Sequence, residues 1–206
     1  MRLLAFVLFS CIATLAQASE EAMQRFTQLN ADPVLRQQAY DAGKERIRFC
    51  GNCHGMNGNS KRPHIPNLAG QNPVYLFNAF EKFASGERKD FVMSKLAPSL
   101  ALEERVNIAL YFGQQTLLPH TEPVDAALRQ QGEVKFKTLC IGCHGANAEG
   151  REDFPRLAGQ PAEYVRKALT RFRDKDPSRA GSVMMSIAAN FTDAEIAALA
   201  AYLQQL

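Results

Sequence analysis

Cys50-Gly51-Asn52-Cys53-His54-Gly55 puts two thiols and an imidazole within five residues, and the phrase returns as Cys140-Ile141-Gly142-Cys143-His144-Gly145. On a helical turn, positions i, i+3 and i+4 share one face. Two thiols so placed can reach the two vinyl groups of a porphyrin while the adjacent imidazole points at its iron, which is the attachment chemistry of c-type haem. Cys50, Cys53, Cys140 and Cys143 are therefore the candidate attachment residues, with His54 and His144 on the irons. Other thiol chemistries fit less well. A thioredoxin-like pair needs a strand–helix context, which is absent. A zinc site joins two Cys-x-x-Cys units over roughly 15–20 residues, whereas 86 residues separate Cys53 from Cys140. Structural disulfides do not call for a histidine after the second cysteine of both copies.

The far face of each iron takes a ligand or stays open. Methionine is a soft thioether donor that raises the potential of His-ligated haem. Met93 and Met184 follow their histidines by 39 and 40 residues, each in a similar phrase, Val92-Met93-Ser94-Lys95-Leu96-Ala97 and Val183-Met184-Met185-Ser186-Ile187-Ala188. A buried methionine is often only core filler, but the repeated placement favours ligation. Met185 competes with Met184, and the register of Leu96 with Ile187 favours Met184. Met56 is too near His54 to reach round a porphyrin, and Met23 lies far ahead of the motif. His64 and His120 sit in loop-like segments and are expected to be solvated. Pro66 and Pro155 open a repeated loop whose carbonyl could accept the second N–H of each imidazole; a simple turn proline fits the spacing equally well.

These residues are positioned by a duplicated framework. Pro66-Asn67-Leu68-Ala69-Gly70-Gln71 recurs 89 residues later as Pro155-Arg156-Leu157-Ala158-Gly159-Gln160, Tyr75 matches Tyr164, and Tyr111 matches Tyr202. Asn72-Pro73 reads as a helix start, followed by Tyr75, Leu76, Ala79, Phe80 and Phe83 at helical spacing, with Gly86 placed to stop it. Pro161, Tyr164, Val165, Ala168, Leu169 and Phe172 answer in the second copy. Thr192 and Glu195 form a capping-box pattern before the apolar face of Ile196, Leu199, Ala200 and Leu203. No stretch keeps strand alternation, so the fold is expected to be mainly α with long loops. Each half has only some 80 residues, a size that buries a limited core unaided and is often held together by a metal, disulfides or a cofactor.

The 206-residue chain is expected to divide into an export signal (1–18), an N-terminal leader (19–39), a first domain (40–114), a linker (115–126) and a second domain (127–206). Arg2, the apolar run Leu3 to Leu15 and Ala16-Gln17-Ala18 before Ser19 make up the signal pattern, which is too short to anchor in a bilayer. Cys11 falls inside it and is expected to leave with it; a lipoprotein cysteine fits the pattern less well, because more apolar residues follow it. The net charge of +3, with no basic run, gives no ground for nucleic-acid binding. Two haems would add about four propionate charges and make the loaded protein mildly acidic.

The order Cys-x-x-Cys-His-Gly, Pro-x-Leu-Ala-Gly-Gln, Tyr, Met-x-x-(Leu/Ile)-Ala and a closing helix with Tyr, repeated once over residues 40 to 206, resembles the cytochrome c4 family. The resemblance implies two tandem class I cytochrome c domains, two covalently bound haem c groups and haems facing each other across a domain interface. It also implies a periplasmic electron carrier, not an enzyme, working between a respiratory donor and a terminal oxidase, with peripheral membrane association compatible. Carried over by position, Cys50, Cys53, His54 and Met93 serve one haem, and Cys140, Cys143, His144 and Met184 the other. The leader has no counterpart, and Leu100-Ala101-Leu102-Glu103-Glu104 is a less typical cap than Phe191-Thr192-Asp193-Ala194-Glu195. One alternative is the cytochrome subunit of an oxidoreductase complex such as flavocytochrome c sulfide dehydrogenase. A catalytic di-haem enzyme, a peroxidase or thiosulfate oxidoreductase, would need an open iron, against which the paired methionines count.

Overall fold

Asp32-Pro33 and Asn72-Pro73 each begin a helix, because proline has no amide to satisfy at the first helical position and its φ is preset. The computed structural model describes residues 20 and 22–206; the expected export signal, with Cys11, lies outside the described residues. The first half consists of α1 (residues 22–31), α2 (Pro33–Arg46), α3 (Arg48–His54), α4 (Pro73–Ser85), α5 (Met93–Leu96) and α6 (Leu102–Gly113). The second repeats the last five as α7 (Ala126–Leu139), α8 (Ile141–His144), α9 (Ala162–Arg173), α10 (Met184–Ala188) and α11 (Asp193–Gln204). No strand forms among the described residues, apart from an isolated bridge between Arg151 and Phe154.

The ends follow local chemistry. Asp32 Oδ1 accepts from the Val34 and Leu35 amides, and Asp125 caps α7 through the Leu128 amide. Gly86 closes α4 in the left-handed region, as its position predicted. The Thr192–Glu195 box is complete, whereas in the first half only Glu104 reaches back, to the Ala101 amide. Asn72 does not cap α4 with its side chain; its Nδ2 crosses to the Phe154 carbonyl in the other half at 2.8 Å.

In each half the first and last long helices cross tightly. A Cβ on Gly132 of α7 would lie 2.0 Å from the Ala198 carbonyl oxygen of α11, and one on Gly43 of α2 would lie 2.4 Å from that of Asn107 in α6. Only glycine permits such an approach. The crossings enclose two separate cores. Ile47, Phe77, Val106, Ile108, Leu110 and Phe112 are fully buried in one; Phe136, Ile196, Leu199 and Ala200 centre the other.

The leader belongs to the first core. Ala22, Phe26 and Leu29 are buried there, Phe26 stacks on Phe77 with ring centroids 5.3 Å apart, and Arg25 forks onto both Glu103 oxygens at 3.0 and 2.7 Å. Residue 40, the expected leader–domain boundary, falls inside α2. The linker is also held. Asn59 binds the Thr116 carbonyl and the Leu118 amide, and His120 is half-buried with Nε2–H donating to the Gly159 carbonyl at 3.1 Å. The solvated position expected for His120 is thus corrected: this linker runs in the seam between the halves. His64 is exposed, as expected.

Candidate haem centres

One helical turn carries each motif. Cys50, Cys53 and His54 lie in α3; Cys140 opens α8, which holds Cys143 and His144. Gly55 and Gly145, at φ 78° and 80°, end these turns directly after the histidine, a conformation costly for a residue with a Cβ.

Each histidine is fixed by its Nδ1–H, which donates to the Pro66 carbonyl at 2.9 Å in the first half and to the Pro155 carbonyl at 3.0 Å in the second. The two prolines are therefore acceptor-bearing positions rather than simple turn residues. Burial holds both imidazoles below their ordinary pKa, and the carbonyl bond only partly opposes it. A neutral ring that has spent its one N–H on Nδ1 must present a lone pair at Nε2. That is the form in which an imidazole can bind a metal, with the usual outer support.

All four motif cysteines are unpaired. Burial pushes the Cys50 thiol up, and that of Cys140 up to about 11. A redox Cys-x-x-Cys pair works through a lowered thiol pKa, so the electrostatics here run against that chemistry. Among the described residues no group of three or more His, Cys, Asp or Glu side chains stands where it could hold a metal ion.

Met93 and Met184 stand at the first positions of α5 and α10, each half-buried against its own core. Polar groups orient both segments: Asp90 Oδ1 accepts from the Val92 and Met93 amides at 3.0 and 3.2 Å, and Ser182 Oγ from the Met184 amide at 3.3 Å. Met184, not Met185, has the place equivalent to Met93. Met56 is 53% exposed and Met23 packs against the first core. Phe91 is 82% and Val183 66% exposed beside these methionines, apolar surface that suits a bulky apolar group.

The halves meet in a two-fold-like seam. Buried Gln160 binds the amide and carbonyl of Asn67, and buried Gln71 binds those of Arg156. Asn67 Nδ2 adds a bond to the Gly159 carbonyl. Nearby, Arg88 donates to the hydroxyls of Tyr75 at 3.2 Å and Tyr164 at 3.4 Å. Arg88 lies over Phe83 and Arg179 over Phe172. Nε of Arg88, Nε of Arg179 and Oγ of Ser178 are buried without a hydrogen-bond partner. Burial, together with the like charge of Arg88, holds Arg179 below the usual guanidinium range. Two half-buried cations, each with a buried Nε–H to spare, fit carboxylates, and haem propionates have that chemistry. The donor set and this cationic pocket thus suit a haem in each half. The sequence reading missed both arginines, although Arg88 and Arg179 recur 91 residues apart and Phe83 and Phe172 recur 89 apart.

The chain is similar in sequence and fold to known proteins. Residues 130–206 match the cytochrome c family. The chain is 36% identical over 177 residues to cytochrome c4 of Pseudomonas aeruginosa, covering 80% of this chain and 87% of that protein. The chain belongs to the cytochrome c4 family. The crystal structure of reduced recombinant cytochrome c4 from Pseudomonas stutzeri superposes with a TM-score of 0.73 at 34% identity, over 81% of this chain and 97% of that one. A thiosulfate dehydrogenase electron acceptor of Thiomonas intermedia is 34% identical over 181 residues, 80% of this chain and 82% of that protein. The cytochrome c4 family comprises di-haem c-type cytochromes that transfer electrons with redox partners, and the expected architecture, mainly α with two tandem class I cytochrome c domains, is the one observed.

Proposed function

We propose that Cys50 and Cys53 would hold one haem and Cys140 and Cys143 the other through thioethers, with His54 and Met93 as ligands to the first iron and His144 and Met184 to the second. The first domain begins with α2 at Pro33 rather than at residue 40 and runs to 114, the second covers 127–206, and 115–126 joins them, with α1 docked on the first. The protein is a periplasmic carrier, not an enzyme, that takes electrons from a respiratory complex and delivers them towards a terminal oxidase. Each haem supplies a one-electron ferric/ferrous couple. The observation that carries the reading is the pair of neutral imidazoles, each locked by Nδ1–H on a proline carbonyl and each matched by a methionine at the start of an equivalent helix. Ligands held this firmly suit repeated electron exchange with little rearrangement. Among the described residues no helix is long and apolar enough to cross a membrane.

A second reading, an electron-accepting subunit of an oxidoreductase complex, is favoured by the 34% identity to a thiosulfate dehydrogenase electron acceptor. Stopped-flow mixing separates the two. Reduced protein is expected to be reoxidised in oxygenated solution by membranes containing a cytochrome oxidase, with cyanide blocking the reaction. Inertness towards those membranes, with rapid reduction by a thiosulfate dehydrogenase catalytic subunit and thiosulfate, would replace the first reading by the second.

A further inference from the structure

The carbonyl that orients each histidine is one end of a peptide group whose other end is held by the opposite half. In the first half, the Pro66 carbonyl accepts from His54 Nδ1 at 2.9 Å, and the amide of the same unit, Asn67 N–H, donates to Gln160 Oε1 at 3.0 Å. In the second, the Pro155 carbonyl accepts from His144 Nδ1 at 3.0 Å, and Arg156 N–H donates to Gln71 Oε1 at 2.6 Å. The other arm of each glutamine fixes its sense: Gln160 Nε2 donates to the Asn67 carbonyl at 2.8 Å and Gln71 Nε2 to the Arg156 carbonyl at 2.9 Å. Asn67, Gln71 and Gln160 are 3%, 3% and 4% exposed, so water cannot easily stand in for the missing side chain.

We infer that Gln160 is a positioning residue for the first haem and Gln71 for the second, each setting the electron donation of the opposite half's histidine through one peptide group. This rests on His54 and His144 being axial ligands. A peptide is a resonance-coupled unit. Donation from its N–H builds negative charge on its oxygen, and hydrogen bonds in such a chain strengthen one another in a low-dielectric interior. A stronger carbonyl acceptor draws the Nδ1 proton and makes the imidazole a better donor, which favours ferric iron and lowers the potential. Docking of the halves, rather than either half alone, thereby sets both centres. The roles are crossed: each glutamine acts on the haem it does not share a domain with.

The test uses the full-length holoprotein with Gln160→Met and Gln71→Met, which keep side-chain length and remove both polar ends. Midpoint potentials of the two haems are read by spectroelectrochemistry, and histidine Nδ1–H resonances by NMR of the reduced, nitrogen-15-labelled protein. Gln160→Met is expected to raise the first haem's potential and move the His54 Nδ1–H resonance upfield, leaving the second haem and His144 in place; Gln71→Met is expected to do the mirror image. Gln160→Glu, which retains an acceptor for the Asn67 amide, is expected to keep the first haem's potential at or below its native value, and it carries the test if the methionine variants do not fold. Equal shifts at both haems, a shift only at the haem of the same half, or lowered stability with unmoved potentials would overturn the inference and leave the glutamines as ties between the halves. Porphyrin-shifted ring protons of His54 and His144 in the native protein report ligation separately. Their absence would defeat the ligand assignment itself.

Discussion

Gly132→Ala sets two known effects of opposite sign against each other. Alanine in a helix interior is favoured over glycine by about 1 kcal/mol, so on propensity alone the change stabilises α7. The new Cβ, however, would stand 2.0 Å from the Ala198 oxygen, 2.5 Å from its carbonyl carbon and 2.8 Å from Tyr202 Cβ. None of these is the free end of a flexible side chain. Restoring ordinary contact requires the helices to part by roughly 1.4 Å, more than the gap that already forfeits up to half of a dispersion contact. The separation would loosen the Phe136–Tyr202 pair, whose centroids are 5.6 Å apart, in the middle of the second core. Overpacking of this kind costs about 3 kcal/mol at the upper end of its usual range. The expected net loss is about 2 kcal/mol, near 30-fold in the folding equilibrium. Guanidinium unfolding of the holoprotein, followed by Soret circular dichroism, should show the second half's transition at a lower midpoint with the first half's unmoved. An unchanged or higher midpoint would refute the reasoning, because propensity would then outweigh the α7–α11 contact.

Phe26→Ala removes a ring that is 1% exposed and stacked on Phe77; a loss of about 3 kcal/mol or more in thermal or urea unfolding is expected, and an unaltered first half would mean that the leader does not help hold the core. Asn67→Leu leaves the Ser60 amide, now bonded at 2.7 Å, without its acceptor, and takes the 2.8 Å donor from the Gly159 carbonyl, which keeps only His120 Nε2–H. It should cost about 2 kcal/mol or more by the same measurement. The Glu195 carboxyl is held at about 2 by Lys135, the Thr192 amide and the Thr192 hydroxyl. Its folded pKa lies below the unfolded value of about 4.3, so the stability it adds is fully present above that value and is lost as pH falls towards 2. Glu195→Gln should flatten the difference in stability across that window, measured as wild type against variant by denaturation at successive pH values. Parallel curves would contradict the assignment.

Much of this was readable in the chain because the chemistry is local or repeated. The Cys-x-x-Cys-His turns need only their own five residues, Asn72-Pro73 and Gly86 mark helix ends through the backbone angles that proline and glycine favour, and Thr192–Glu195 does so through bonds spanning three positions. Asp32-Pro33 carries the same start signal and would have placed α2 ahead of residue 40. The seam was not readable. Gln71, Gln160 and Asn67 bond to groups 85 to 93 residues away, and a repeat shows that two residues are equivalent without showing that each one's partner lies in the other copy. Arg88 and Arg179 escaped for a related reason: a guanidinium on a sequence reads as solvated surface, and only the fold reveals that Nε of each is buried without a partner. His120 misled because a linker between domains usually faces water, whereas this one lies against Gly159.

The central claim is that the purified chain carries two closed His/Met haem centres. The most direct measurement is the haem count per chain by pyridine haemochrome, with the oxidised spectrum and carbon monoxide addition to the reduced protein. The account predicts two haems, a methionine–iron charge-transfer band of full intensity for both, loss of half that band in either Met93→Ala or Met184→Ala, and no carbon monoxide binding in the native protein. One haem per chain, a band that survives both substitutions, or rapid carbon monoxide binding at either native centre would contradict it.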